Sequence, residues 1–164
     1  MHDALTMYFD GEKYAGLTLA GVAVCAIAVA TLLYRAGGEF RSFAITLGIL
    51  ALAEVALGVG LYARTGPQVG RLEEQLRSDA TSFYASEATR MARVQSNFVL
   101  VEYAELVVIV MSAFAAVILK AKPGPAGVAL GLLISASVLL AFDLLAERRG
   151  AHYLQSLTFH ERST

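Results

Sequence analysis

Four acids stand inside long apolar runs: Glu54, Glu102, Glu105 and Asp143. Carboxyls in such places relay protons, hold cations or bond across helices. A charge at the centre of a bilayer costs about 2.5–3.5 kcal/mol on insertion scales, so these residues are expected to face other helices or water. Their neighbours agree. Glu102, Glu105, Ile109, Ser112 and Ala116 recur at spacings of three and four, one stripe of a helix. Ala51, Glu54 and Gly58 make a second stripe. Gly127, Gly131 and Ser135 form a small-residue ladder that lets two backbones approach closely.

Depth follows from the helical rise. Counted from Arg64, Glu54 lies about 15 Å inside. Counted from Arg93, Glu102 and Glu105 lie about 13 and 18 Å inside. Asp143, about 7 Å from Arg148, is shallower. Glu54, Glu102 and Glu105 are therefore expected to meet in one layer, on the side of the chain termini. No Lys, Arg or His lies within the apolar runs. Three states stay open for the acids: protonation through burial and like charge, contact with water and with snorkelling Arg64, Arg93 or Arg148, or a bound cation.

The elements that carry these acids are four apolar stretches, 14–34, 42–63, 98–119 and 126–146. A helix needs about 20 apolar residues to cross the hydrocarbon core, and each stretch has that length. Of the 164 residues, 57 % are hydrophobic and 16 % charged, and the mean hydropathy is +0.59. A soluble domain carries roughly 25 % charge. The fold class expected is an all-α integral membrane protein, a four-transmembrane-helix bundle with the lipid bilayer as its first partner. The leading segment MHDALTMYFDGEKY is not basic and no clear cleavage site follows the first run, so the first span is read as retained. MHDALTMYFD reads as a short amphipathic lead-in, with Tyr8, Phe9 and Tyr14 as boundary aromatics.

The connections are unequal. Gly37-Gly38 and Pro123-Gly124-Pro125 mark tight turns, so spans 1/2 and 3/4 form antiparallel hairpins. The 2–3 connection is long, about 67–96. Gly66-Pro67 is expected to end the second span, followed by a short helix with Val69, Leu72 and Leu76 on one face. Ser78-Asp79 suits an N-cap. No breaker follows before Pro123, so the third helix should start near Asp79 and project about 25 Å beyond the membrane, with Phe83, Ala88, Met91 and Val94 on its apolar side. The fourth helix should continue through ERRGAHYLQSL into the C-terminal extension 147–164, where the two extensions can pack together.

Lysines and arginines set the orientation. Lys13, Arg64, Arg71, Arg77, Arg90, Arg93, Arg148, Arg149 and Arg162 fall on the side of the termini; Arg35, Arg41, Lys120 and Lys122 fall opposite. The positive-inside rule then places both termini in the cytoplasm. Arg64, Arg93, Arg148 and Arg149 are the basic residues at the membrane interface. Arg148-Arg149 reads as an anchor, with contact to anionic lipid as an extension of that role.

Much catalytic chemistry is missing. Glu102-x-x-Glu105 lacks the histidine of a di-iron Glu-x-x-His pair. His2, His152 and His160 all lie outside the spans, which speaks against a bis-histidine haem. There is no CxxCH, P-loop, G-x-S-x-G or HExxH. Ser112, Ser135 and Ser137 have no histidine partner in the membrane. The single cysteine, Cys25, excludes an internal disulfide and reads as a small buried residue. The net charge of −1 gives no reason to expect nucleic-acid binding. No enzyme, cofactor or metal site is expected.

RLEEQLRSDATSFYASEATRMARVQSNF followed by an acid-bearing span, and the closing FDLLAERRGAHYLQSL, resemble uncharacterised four-span bacterial inner-membrane proteins, some found in the gene neighbourhoods of secreted antibacterial toxins. The resemblance implies a small protein that works by contact, for example an immunity protein against a membrane-active toxin. Three functional readings follow. The first is a non-catalytic contact protein, partnered by another membrane protein or by its own copies. The second is a small oligomeric channel or proton/cation-coupled transporter using Glu54, Glu102 and Glu105. The third is an accessory subunit of a larger membrane complex.

Overall fold

The computed structural model describes residues 2–161, with side chains for residues 3–160. Arg162, counted above among the basic residues, the last residues of the C-terminal extension and the side chain of His2 lie outside that range. The described chain is all α: α1 (His2–Ala36), a 3-10 turn (Gly38–Phe40), α2 (Arg41–Ser78), α3 (Ala80–Ile118) and α4 (Pro123–Glu161). Each of the four helices is long and apolar enough to cross a membrane. They form one bundle. α1 packs along α2 and α3 along α4, while α2 and α4 lie on the short diagonal of the cross-section, between α1 and α3.

The turns follow from local chemistry. Gly37 and Gly38 both take positive φ, 73° and 65°, which a Cβ would strain. Arg41 closes this end of the hairpin by donating to the Tyr34 hydroxyl (2.8 Å). Between α2 and α3 stands the single residue Asp79. Its carboxylate accepts from the Ser82 N–H (3.0 Å), the N-cap bond expected there. Pro123, Gly124 and Pro125 are not a turn. They form the first turn of α4, where a missing N–H costs nothing because that N–H has no helical acceptor.

α2 runs unbroken through Gly66-Pro67. The proline leaves one upstream carbonyl without its helical donor, yet the helix continues. Tertiary packing explains this: Val69, Leu72 and Leu76 lie against an apolar cluster that the other three helices build outside the membrane-length stretches. Leu5, Tyr8 and Phe9 of α1, Phe83, Tyr84 and Met91 of α3, and Tyr153 and Leu157 of α4 are buried in it. Hence all four helices, not the third and fourth alone, extend beyond the membrane segment and share a second core. Tyr8 and Phe9 belong to that core and are not boundary aromatics, whereas Tyr14 is exposed. The Tyr8 and Tyr153 rings stack at 4.8 Å between centroids, with Phe9 edge-on to Tyr8.

Within the membrane segment, small residues set the helix distances. A Cβ at Gly58 would stand 2.5 Å from the Gly16 carbonyl oxygen and 2.9 Å from the Ala20 nitrogen, so α1 and α2 touch backbone to backbone there. A Cβ at Gly127 would meet the Phe43 nitrogen at 2.7 Å, and one at Gly131 the Thr46 side chain at 2.8 Å. The ladder of α4 therefore seats on α2. Gly150 does the same for α3 and α4 farther out, where Gln95 lies over it and donates to the Glu147 carbonyl (3.1 Å). Cys25 is exposed on the outer face of α1, not buried, because the inward positions of α1 are taken by Leu19, Ala23 and Ala30.

Candidate functional site

The four acids divide into two settings. Glu54 is almost fully buried on the inner face of α2, between Ala51 and Gly58. Ser135 of α4 lies beside its carboxylate. One Glu54 oxygen, Oε1, is shut off from solvent with no hydrogen bond. Ser135 thus ends the small-residue ladder beside an acid.

Glu102, Glu105 and Asp143 form the other group, at the seam of α3 and α4. The charges acting on Glu105 are those of Asp143 and Glu102; those acting on Glu102 are Glu147 and Asp143. Glu102 and Glu105 sit with Asp143 between α3 and α4, and Glu54 faces α4 from α2, beside the Ser135 that shares a groove with Glu105. Depth along a helix axis is a matter of counting, but the direction in which a side chain leaves the axis depends on which helices become neighbours. Glu102 and Glu105 are only partly covered, and each has one buried oxygen without a partner. Among the described residues no three His, Cys, Asp or Glu side chains are placed to share a metal ion.

The face around this seam is open. Only 6 % of the most apolar stretch of α3 is buried in the bundle, against 22–28 % for the other three helices. Val107, Val110 and Phe114 point outward, and Ser112 is the one buried residue of the membrane half of α3. Beside the seam, α2, α3 and α4 enclose a lateral groove of about 460 Å³. Its wall is apolar, with Leu50, Leu100, Val108 and Leu139, and its polar points are Glu105 and Ser135.

The arginines expected at the membrane interface also differ from one another. Arg64, Arg93 and Arg148 are exposed. Arg149 is partly covered and lies against Gly11 of α1, where a Cβ would meet its Cδ at 2.9 Å.

The second core holds a polar pair that the sequence reading passed over. Glu87 is 2 % exposed, and Arg90 grips it with two bonds of 2.7 Å from Nε and Nη2. The pairing with Glu87 raises the Arg90 guanidinium above its usual range against the opposing effect of burial. Burial, then the Glu12 carboxylate to which the Tyr8 hydroxyl donates (2.9 Å), raises Tyr8 well above the usual phenol range. Burial, then the Glu87 charge, does the same to Tyr153. The available signal was spacing: Phe83, Glu87 and Met91 fall on one stripe, so an acid stood on an apolar face.

Comparison with protein-family models, with curated proteins and with solved structures finds no match to this chain.

Proposed function

We propose that this is a non-catalytic membrane protein that acts by lateral contact, with the membrane half of α3 as its contact face. The observation that carries this is the bareness of α3: only 6 % of its most apolar stretch is buried, and Val107, Val110 and Phe114 stand exposed along one side. A neighbouring helix laid along Val107, Val110 and Phe114 would cover the apolar surface that the bundle leaves bare. The partner is another membrane protein or a second copy of the chain.

The test is cross-linking in native membranes from single cysteines carrying a photoactivatable reagent, which needs no thiol on the partner. In a Cys25→Ser background, Val107→Cys and Phe114→Cys are placed on the outer face of α3. The unmodified protein, with Cys25 exposed on α1, is the comparison. Cross-linked species are expected from the α3 positions and not from Cys25. Monomer at every α3 position would defeat the reading. A pull-down in mild detergent then separates self-association from membership in a larger complex.

In the setting suggested by the resemblance, a bacterial inner membrane with both termini cytoplasmic, the concrete form of this role is an immunity protein that blocks a membrane-active toxin. A deletion strain should lose resistance to a toxin encoded beside it; normal survival under challenge counts against that form. Glu105 and Ser135 lining one groove, with Glu54 beside the same Ser135, supports a second reading as a small oligomeric proton or cation pathway. Flux in proteoliposomes that is absent, or unchanged by Glu54→Gln and Glu105→Gln, removes it.

A further inference from the structure

The stripe Arg149, His152, Tyr153 and Ser156 of α4 faces the stripe Ala4, Met7 and Tyr8 of α1 across a pocket of about 270 Å³. Its floor is the stacked Tyr8–Tyr153 pair, two rings at an interplanar angle of 8°. Floor and pocket are thus shaped by the second core and not by loose side chains. Arg149 enters from the membrane side. Gly11 makes room for it, since a Cβ there would meet the Arg149 Cδ at 2.9 Å and Nε at 3.3 Å. The Arg149 Nε is closed off from solvent and has no hydrogen-bond acceptor. Glu12, the acid next to Gly11, accepts from the Tyr8 hydroxyl instead (2.9 Å). The Nε edge of Arg149 is thus packed on Gly11, and the pocket presents the Arg149 side chain, an imidazole and a hydroxyl on a mainly apolar wall.

Its height matters. The fourth apolar stretch ends at Ala146, so Arg149 stands about 4.5 Å farther along the helix. The polar layer of a bilayer leaflet is about 5–7 Å thick beyond the hydrocarbon. Arg149 is thus level with lipid phosphates, and the pocket opens from that level into water. We infer that the α1/α4 pocket is a site for a phosphate ester, with Arg149 as its principal donor and the headgroup of an anionic phospholipid as its ligand. Guanidinium and phosphate match in charge and hydrogen-bond geometry. The exposed neighbour Arg148 offers the same charge without the pocket.

The experiment is native mass spectrometry of the full chain, delipidated in detergent and titrated with dioleoyl phosphatidylglycerol, dioleoyl phosphatidylcholine and soluble glycerol 3-phosphate. Phosphatidylglycerol should be retained over phosphatidylcholine. Arg149→Gln should weaken that retention by about tenfold, the scale of one lost charge-assisted bond, and Arg149→Lys should restore part of it. Arg148→Gln, an identical change of net charge, should leave it within about twofold, as expected for a screened surface charge. Equal retention of both lipids by the unmodified protein, or equal losses from Arg148→Gln and Arg149→Gln, overturns the site. Binding of glycerol 3-phosphate without phosphatidylglycerol overturns the lipid headgroup as ligand. The comparison of lipids on the unmodified protein decides the matter even where a variant fails to fold.

Discussion

Gly58→Ala is the sharpest test of the packing, because a control sits two residues away on the same helix. A methyl group at Gly58 would press on the Gly16 carbonyl oxygen at 2.5 Å and the Ala20 nitrogen at 2.9 Å. Both are backbone atoms of α1, so no rotamer change can relieve the contact; the helices must separate. At Gly60 a methyl group meets nothing within 4 Å. Replacing glycine by alanine inside a helix gains about 0.5–1 kcal/mol from backbone entropy, and that gain is common to both variants. It cancels in the comparison. The difference isolates the clash, which for an added methylene in a close-packed contact is about 1–3 kcal/mol. Gly60→Ala should therefore be neutral to stabilising, and Gly58→Ala should be less stable than Gly60→Ala by that amount. The measurement is reversible unfolding in mixed micelles, by titrating a denaturing detergent and following helicity and tyrosine fluorescence. Gly16→Ala should reproduce the loss from the other side, and the double variant should lose less than the two single losses added, since the first separation of the helices makes room for the second methyl. Equal stability of Gly58→Ala and Gly60→Ala would refute the backbone contact and, with it, the argument that glycine sets the α1–α2 distance.

The second core gives three further predictions. Arg90→Met leaves the buried Glu87 carboxylate without its bidentate partner, and because Arg90 is itself 37 % exposed the loss should fall short of a fully buried pair, at about 2 kcal/mol in the same unfolding assay; Glu87→Gln together with Arg90→Met should recover part of it. Tyr8 and Tyr153 carry hydroxyls whose pKa is raised by folding, so their contribution is complete below the unfolded value of about 10 and declines as pH climbs above it, the unfolded chain being the better acid. Stability measured from pH 9 to about 12 should therefore fall, and Tyr8→Phe with Tyr153→Phe should flatten that slope; an unchanged slope means the titrating groups lie elsewhere. Asp79→Ala removes the cap of α3 and should cost about 1 kcal/mol, with amide exchange rising first at the beginning of α3, and Asp79→Asn should retain most of the stability.

The membrane half of the fold was legible because hydropathy alone marks a span: the four apolar stretches coincide with parts of α1 to α4, the third passing the end of α3 by the single residue Leu119. The cap at Asp79 and the joining of the third and fourth extensions were legible too, the first from residue type and the second from an apolar stripe. What escaped the sequence shares one cause. Pro67 reads as a stop, yet packing of Val69, Leu72 and Leu76 carries α2 past it. MHDALTMYFD reads as a lead-in, yet Tyr8 and Phe9 find partners more than a hundred residues away in Tyr153 and Leu157. Pro123 and Pro125 read as a turn, although the first turn of a helix needs no amide hydrogen. The acids were recognised as out of place; that Ser135 would stand beside Glu54 and Asp143 beside Glu105 depended on which helices became neighbours. In each case a long-range neighbour decides what a local rule leaves undetermined.

α3 runs from Ala80 to Ile118 with neither proline nor glycine. At about 1.5 Å per residue it is a rod about 58 Å long, gripped at one end by the aromatic core and nearly bare at the other. A rod without a joint transmits torsion. If a partner rolls the Val107–Phe114 face by one side-chain register, Phe83, Tyr84 and Met91 must turn with it against Tyr8 and Tyr153. Docking inside the bilayer would then be read outside it as a change in tyrosine stacking, and tyrosine fluorescence recorded with and without the cross-linked α3 partner would detect that rotation or show that it does not occur.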